Sequence, residues 1–260
     1  LSPASLLNLR PMPRRRGRFL RASVSALAIG GGMGAAGSAG ADPCTGDTTT
    51  LTCTYTDADE LNVIDLSGTG LETVEITNDA TLNASTDYQS ISSGISADFS
   101  GAAGSSDTPG GQAGADVTLT NQGAITMTGS GTPGWTPDNV TGIQIRTNGG
   151  DGAQPDSKGD GGRGGDSGQV TITNSAAITI DASAVQSLSV PVYGINVQAE
   201  AGAGGDMQSG SGDQRGGNSG DGKAVTLDNS GAITLGSQDN PLRVGTDGRA
   251  IRIVTEGNSG

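Results

Sequence analysis

The chain has no histidine, and its aromatic residues amount to one Trp, three Tyr and two Phe in 260 residues. Large side chains supply most of the buried area of an ordinary core, so a thick two-layer core is hard to build from this composition. Glycine is abundant instead, at 46 residues. Two classes therefore remain: a disordered glycine-rich chain, or a thin repetitive β-structure with a core of Val, Ile and Leu.

Basic residues are scarce beyond residue 41. Six of the 14 basic residues precede that point, where the chain has no acidic residue. The remainder carries eight basic against 27 acidic residues, a net charge of −19. Binding to nucleic acid depends on Lys and Arg releasing counterions from phosphates, so nucleic acid is not expected as a partner. A surface this acidic favours solubility and attracts divalent cations.

Residues 1–41 combine a basic start, a weakly apolar run and a small-residue end at Ala39-Gly40-Ala41. This pattern predicts a secretory signal peptide cleaved after Ala41, and therefore an exported protein. A membrane anchor is the alternative, but the apolar run is too short and too rich in glycine to hold a membrane span well.

Two cysteines, Cys44 and Cys53, follow the predicted cleavage point. In an exported chain, cysteines this close in sequence favour a small disulfide loop. Metal ligation is the alternative, but it needs further ligands and the chain has no histidine to supply them. We therefore predict a disulfide that fixes an N-terminal cap region over residues 42–73.

The region 74–260 contains an internal repeat. Four eleven-residue segments align without gaps and begin near residues 74, 117, 170 and 225: VEITNDATLNA, VTLTNQGAITM, VTITNSAAITI and VTLDNSGAITL. Such self-similarity indicates a repeat architecture. Apolar or small residues alternate with polar ones in each segment, which is the period of a half-buried strand and not of a helix.

A further alternating segment follows each repeat, at 94–99, 142–147, 194–199 and 250–255. Each unit therefore offers about three short strands. One unit cannot bury its apolar face alone, whereas stacked units share a continuous core. The predicted fold is all-β, a parallel β-helix.

An Asn recurs at the fifth position of the four aligned segments, as Asn78, Asn121, Asn174 and Asn229. Because Asn tolerates left-handed backbone and satisfies backbone groups at a bend, we interpret it as a corner between two strands. Stacked copies would form an asparagine ladder in which each amide bonds the next. Contact with a glycan or a metal is the alternative.

The segments 148–169 and 200–224 separate the units and are rich in Gly, Asp, Ser and Gln. This composition predicts solvent-exposed excursions that leave the repeat and return. One motif in them, GDSG at 165–168, resembles the nucleophile loop of serine proteases. That chemistry needs a histidine base, and the aligned stretch before Val225 reads GDGK, so we interpret the motif as a spacer.

Two further motifs lie in the same segments. GGRGGDSGQ at 161–169 resembles the calcium-binding nonapeptide of repeats-in-toxin proteins, which requires tandem copies. No second copy follows, so Asp160, Asp166 and Asp221 are at most weak candidates for loosely bound calcium, and no other cofactor is expected. GNSGDGKA at 217–224 fits most of a phosphate loop, but it precedes a strand where a phosphate loop opens a helix.

The chain as a whole resembles the passenger regions of autotransporters, the type V secreted proteins of Gram-negative bacteria. The resemblance covers about 74–260 and rests on VTLTNQGAIT, VTLDNSGAIT and the GGxxGD segments. It implies a right-handed parallel β-helix, exported and displayed at the cell surface or outer membrane, and a C-terminal β-barrel that translocates it. No barrel-like segment occurs before Gly260, so a fragment or a truncated gene is expected.

The leading hypothesis is a structural, adhesin-like passenger segment without an active site, whose partner is a host or neighbouring-cell surface. The second is a polysaccharide-active enzyme on a β-helix, which needs carboxylates on one exposed face. Asp181 is a poor candidate because the aligned positions hold Thr128 and Gly236, and Trp135 and Tyr193 are among the few aromatics for a sugar site. The third is a secreted calcium-binding matrix protein.

Overall fold

The computed structural model describes residues 21–23, 44–56, 64–68, 70–85, 92–128, 139–154, 160–181, 191–206, 215–236 and 248–256. Within these ranges the regular elements are all strands. The same residues contain no helix long and apolar enough to cross a membrane.

The strands follow one another along the chain in short runs. They are β1 (Arg21–Ser23), β2 (Cys44–Gly46), β3 (Thr50–Tyr55), β4 (Ile64–Ser67), β5 (Thr73–Asn78), β6 (Leu82–Ser85), β7 (Ser93–Asp98), β8 (Asp116–Asn121), β9 (Ile125–Thr128), β10 (Val140–Arg146), β11 (Val170–Asn174), β12 (Ile178–Ile180), β13 (Val192–Gln198), β14 (Val225–Asn229), β15 (Ile233–Leu235) and β16 (Gly248–Val254).

These strands form three sheets. Sheet A has the order β1-β4-β7-β10-β13-β16, sheet B has the order β14-β11-β8-β5-β3-β2, and sheet C has the order β15-β12-β9-β6. Neighbours are parallel throughout, for example β11 with both β8 and β14, except that β2 and β3 are antiparallel. Each repeat gives one strand to each sheet, which confirms the all-β class and the three strands per unit.

Successive units keep one register. Val170 pairs with Val117 on one side and with Val225 on the other, so equivalent positions of the repeat stack directly. Alternate side chains point inward, and those of Ile172, Ile178 and Ile195 are fully buried in one aliphatic core. The inward faces of the three sheets therefore share a core that continues from unit to unit.

The N-terminal region contributes more strands to the sheets than the sequence predicts. Strands β3 and β4, inside the predicted cap region 42–73, extend sheets B and A beyond the first aligned repeat. Cys44 and Cys53 lie opposite each other on β2 and β3 and form a disulfide. Strand β1, inside the predicted signal peptide, pairs with β4, so β4 would become the edge of sheet A once that peptide is removed.

The glycine-rich segments between units are regular. Gly161, Gly164 and Ser167 donate backbone hydrogen bonds to the carbonyls of Arg215, Asn218 and Asp221, at distances of 2.8–3.0 Å. Donors and acceptors thus recur every third residue, which is the period of a polyproline II helix and not of a strand. We call these extended pieces arms: 99–104, 147–153 and 199–205 lead away from sheet A, and 109–116, 160–169 and 215–224 return to sheet B.

The arms lie in two layers. Within a layer neighbouring arms run parallel, as 160–169 does with 215–224. Between layers they run antiparallel, because Gly162, Gly165 and Gly168 donate to the carbonyls of Ala153, Gly150 and Thr147. The six arms therefore form a two-layer structure, the glycine array, which repeats in step with the sheets.

Close approach of the backbones explains the glycines of the array. A Cβ atom on Gly165 would lie closer than 3.0 Å to the carbonyl of Gln112, and one on Gly162 closer than 3.0 Å to that of Pro109. Positive φ is not the reason, since among the described glycines it occurs at Gly70 and Gly236. Glycine is needed here because two backbones occupy the space that a side chain would fill.

The prediction of solvent-exposed excursions is confirmed for most of 215–224, which is exposed, but it is wrong for 160–169. Gly162, Gly164, Gly165 and Ser167 are buried between neighbouring arms. Every third residue, such as Arg163, points outward and is exposed. The sequence suggested loops because Gly and Asp are typical of turns. In the structure the N–H groups of 160–169 bond to two neighbouring arms, one 54 residues away in sequence and the other 9 to 21 residues away.

Replacing Gly165 by Ala tests the array. The new methyl group would collide with the Gln112 backbone, and overpacking of this kind costs about 1–3 kcal/mol. Gly216→Ala is the matched control, because the nearest atom to its added Cβ is the Gly205 carbonyl oxygen at 3.7 Å. Urea unfolding followed by circular dichroism measures both. Equal stability of the two variants would contradict the packing described here.

Candidate functional surfaces

The four repeat asparagines form a continuous ladder inside the protein. The side-chain amide of Asn78 donates to the Asn121 oxygen at 2.7 Å, Asn121 donates to Asn174 at 2.6 Å, and Asn174 donates to Asn229 at 2.7 Å. Asn78, Asn121 and Asn174 are fully buried. All four side chains are thus committed to structure and do not point toward a ligand.

Each ladder residue also shapes a corner. Asn174 is the last residue of β11, and its amide donates a second bond to the Ala176 carbonyl at 3.0 Å, in the bend before β12. Left-handed backbone plays no part, since no described residue other than glycine has a positive φ. The corner is held by the side-chain bond and not by an unusual dihedral angle.

Ser167 of the GDSG motif has a structural role in the array. Its side chain is fully buried, and its Oγ accepts a hydrogen bond from the Lys223 backbone N–H at 2.7 Å. Residues 217–224 of the phosphate-loop motif belong to a returning arm and lead directly into β14. Both motifs therefore connect one unit to the next.

The weak calcium candidates make similar contacts. Asp160 Oδ1 accepts the Arg215 backbone N–H at 2.8 Å, and Asp166 Oδ1 accepts the Asp221 backbone N–H at 2.9 Å. The Arg163 guanidinium bridges Asp166 and Asp221 at 2.8 and 3.0 Å. Among the residues that the structure describes, no three His, Cys, Asp or Glu side chains are grouped to hold a metal.

These contacts belong to a repeated pattern. Asp116 accepts the Gln169 backbone N–H and Asp151 accepts that of Ala203, each at 2.8 Å and each reaching into the following unit. In the arm 160–169 two of every three backbone N–H groups bond to neighbouring arms, and the Asp116 carboxylate accepts one of the remaining N–H groups, that of Gln169. In each case the carboxylate of an aspartate joins one unit to the next.

Asp181, the carboxylate considered for an enzyme site, lies at the end of strand β12. Its backbone N–H donates to the Met127 carbonyl at 2.9 Å, directly after β12. Trp135 lies outside the described residues. Tyr193 lies on the polar outer face of sheet A, and the sequence did not predict this face.

Polar side chains line the outer face of sheet A. Ile143 and Ile145 of β10 belong to the core, so Gln144 and Arg146 point to the opposite face. Strand β13 repeats this arrangement, with Ile195 and Val197 in the core. Its outward side chains are therefore Asn196 and Gln198.

Two arginines on this face are held by neutral groups. Arg146 Nε donates to Gln198 Oε1 at 2.7 Å, and one Arg252 terminal nitrogen donates to Asn196 Oδ1 at 3.0 Å. The Arg252 guanidinium also lies over the Tyr193 ring, 5.6 Å from its centre, in a cation–π contact.

We call this surface the basic strip and define it by residues of β10, β13 and β16: Arg146, Tyr193, Asn196, Gln198, Arg249 and Arg252. The alternation of Ile with Gln, Asn and Arg in 142–147, 194–199 and 250–255 is the sequence signal for it.

No protein-family model, curated protein or solved structure matches the chain.

The ladder predicts a large penalty for Asn121→Ala. The substitution leaves groups of Asn78 and Asn174 buried without their partner, at about 1–3 kcal/mol for each unpaired group. Asn83→Ala on the exposed face of β6 is the control and should change stability by less than about 0.5 kcal/mol. Denaturant unfolding measures both, and a penalty for Asn121→Ala no larger than the control would argue against the ladder.

The contacts of Asp166 predict that the stability of the protein depends on pH. The Asp221 backbone N–H and the Arg163 guanidinium hold the pKa of Asp166 below its ordinary value of 3.8. Its stabilisation is therefore present above pH 3.8 and is lost as the pH falls through the lower folded-state pKa. Urea unfolding of the native chain and of Asp166→Asn should differ at neutral pH and converge in acid. A gap that stays constant down to about pH 2 would contradict this assignment.

Proposed function

We propose that this chain is a structural, adhesin-like passenger segment of an autotransporter, with its three sheets wound as a right-handed parallel β-helix. The strand order supports the winding, because each unit takes the next place in sheets A, B and C. Parallel strands joined by a crossover are right-handed in nearly all proteins, which supports the hand.

The observation that carries the proposal is the unbroken unit-to-unit bonding. Sheets, asparagine ladder and glycine array each repeat in the same register from one unit to the next. Stability in such an arrangement comes from neighbouring units and not from one central core. A stiff rod built this way suits a protein that projects and presents a surface.

Export and display complete the proposal. The predicted signal peptide at 1–41 would direct the chain across the inner membrane, and a C-terminal β-barrel of the same polypeptide would carry it to the cell surface. The disulfide between Cys44 and Cys53 suits an oxidising compartment. The surface of a host or a neighbouring cell is the proposed partner.

Expression in a Gram-negative host tests display. We expect the chain, followed by an autotransporter β-barrel, to lose residues 1–41 and to be labelled by antibodies on intact cells. The same gene without codons 1–41 is the control and should give unlabelled cells. Mass spectrometry reads the new N-terminus. A chain that keeps residues 1–41 and reduced cysteines inside the cell would refute the proposal.

A further inference from the structure

We propose that the basic strip on sheet A binds an acidic polysaccharide, one that carries uronate or sulfate groups. The proposal adds a ligand class to the proposed adhesin. It rests on the proposed function only for the place where protein and ligand meet, the cell surface. Binding itself is a property of the folded chain and can be measured without a cell.

Charge is distributed unevenly between the strip and the rest of the protein. Beyond residue 41 the chain has a net charge of −19 and eight basic residues, of which Arg146, Arg249 and Arg252 lie on this one face. The outward residues of β10, β13 and β16 include no carboxylate, and Asp98, in register with Arg146 on the neighbouring strand β7, lies beside the end of the strip farthest from Arg249 and Arg252. The strip is therefore a cationic surface on an anionic rod, complementary to an anionic ligand.

Among the described residues, the contacts of Arg252 are the Asn196 amide oxygen and the Tyr193 ring. Both are neutral, so neither compensates its charge. Arg163 and Lys223 on the glycine array differ, because each forms ion pairs with aspartates. Asn196 is 1% exposed and Tyr193 is 6% exposed, so both supports are packed in place. The guanidinium is thus oriented before a ligand arrives, which lowers the entropic cost of binding.

The shape of the strip favours a linear polymer. Its residues occupy neighbouring parallel strands, which lie about 4.8 Å apart, so the strip runs across the strands from unit to unit. A guanidinium pairs with a carboxylate or sulfate through two parallel hydrogen bonds. The Gln198 amide, half-buried on the same face, matches the hydroxyls of sugar rings.

Two other anionic ligands suit the strip less well. Duplex DNA is bound through many phosphate contacts at once, and the arginines of the strip, Arg146, Arg249 and Arg252, offer few such contacts. An anionic membrane requires apolar residues that enter the interface alongside the basic ones. The contacts of Arg252 on this face are Asn196 and Tyr193. The apolar residue beside it on the same face of β16 is a single small side chain, Val254.

The test measures binding of the purified chain to polygalacturonate, with neutral dextran, duplex DNA and anionic phospholipid vesicles as comparisons. We expect binding to polygalacturonate and not to dextran, weakening as salt rises. Arg252→Met should weaken it roughly tenfold, the effect of losing one charge-assisted contact. Arg252→Lys keeps the charge and should lose less, and Arg163→Met is the matched control on the array and should bind as the native chain does.

Circular dichroism on each variant separates loss of binding from loss of folding. Equal binding to dextran and polygalacturonate would overturn the proposal, and so would tighter binding to DNA or vesicles than to polygalacturonate. An Arg163→Met loss as large as that of Arg252→Met would also overturn it, since the charge of the whole chain would then be the cause. If the purified chain binds polygalacturonate but the chain fused to a β-barrel is not displayed on cells, the polysaccharide proposal stands and only the passenger role is refuted.

Discussion

Backbone hydrogen bonds between successive units, kept in one register, are the constraint on which the rest of the structure depends. With six aromatic residues in 260, no unit can bury enough area to fold by itself. The Val117–Val170–Val225 alignment stacks equivalent inward residues, and only this alignment makes the core continuous. A slip of one residue would turn the apolar side chains to solvent. The asparagine ladder helps to fix the register, because its amides meet only when the units are in step.

The glycine array depends on the same register, but backbone hydrogen bonds hold it together in place of an aliphatic core. Arms outside the sheets have no aliphatic core to bury, and their stability comes from backbone bonds made possible by missing side chains. Two of every three positions face another arm and are mostly glycine. The third faces solvent, and aspartates such as Asp116 and Asp166 there accept an N–H of the next unit. The acidic, glycine-rich composition thus has a structural cause, and the motifs that resemble a nucleophile loop and a calcium site follow from it.

The surfaces available for function are those that take no part in the stacking of units. The ladder, the core and the inner faces of the arms are fully engaged in holding units together. The outer face of sheet A is different, since it collects Arg146, Arg249 and Arg252 among neutral amides. A repeating scaffold can vary such outward positions without disturbing its register, because they take no part in the core. This separation of scaffold and surface suits a protein whose role is contact.

The sequence by itself determined the strands of the four repeats, the repeat itself, the close cysteine pair and the positions of the ladder asparagines. These features depend on residues within one short segment, where a period of two is visible without any partner. Only the tertiary structure decided what the glycine segments form, since their bonds join residues such as Gly164 and Asn218, 54 positions apart, and follow a period of three. It also decided the roles of Ser167 and Asp166, whose partners lie in the next unit. The basic strip needed it as well, because three strands distant in sequence become one face only when the units stack.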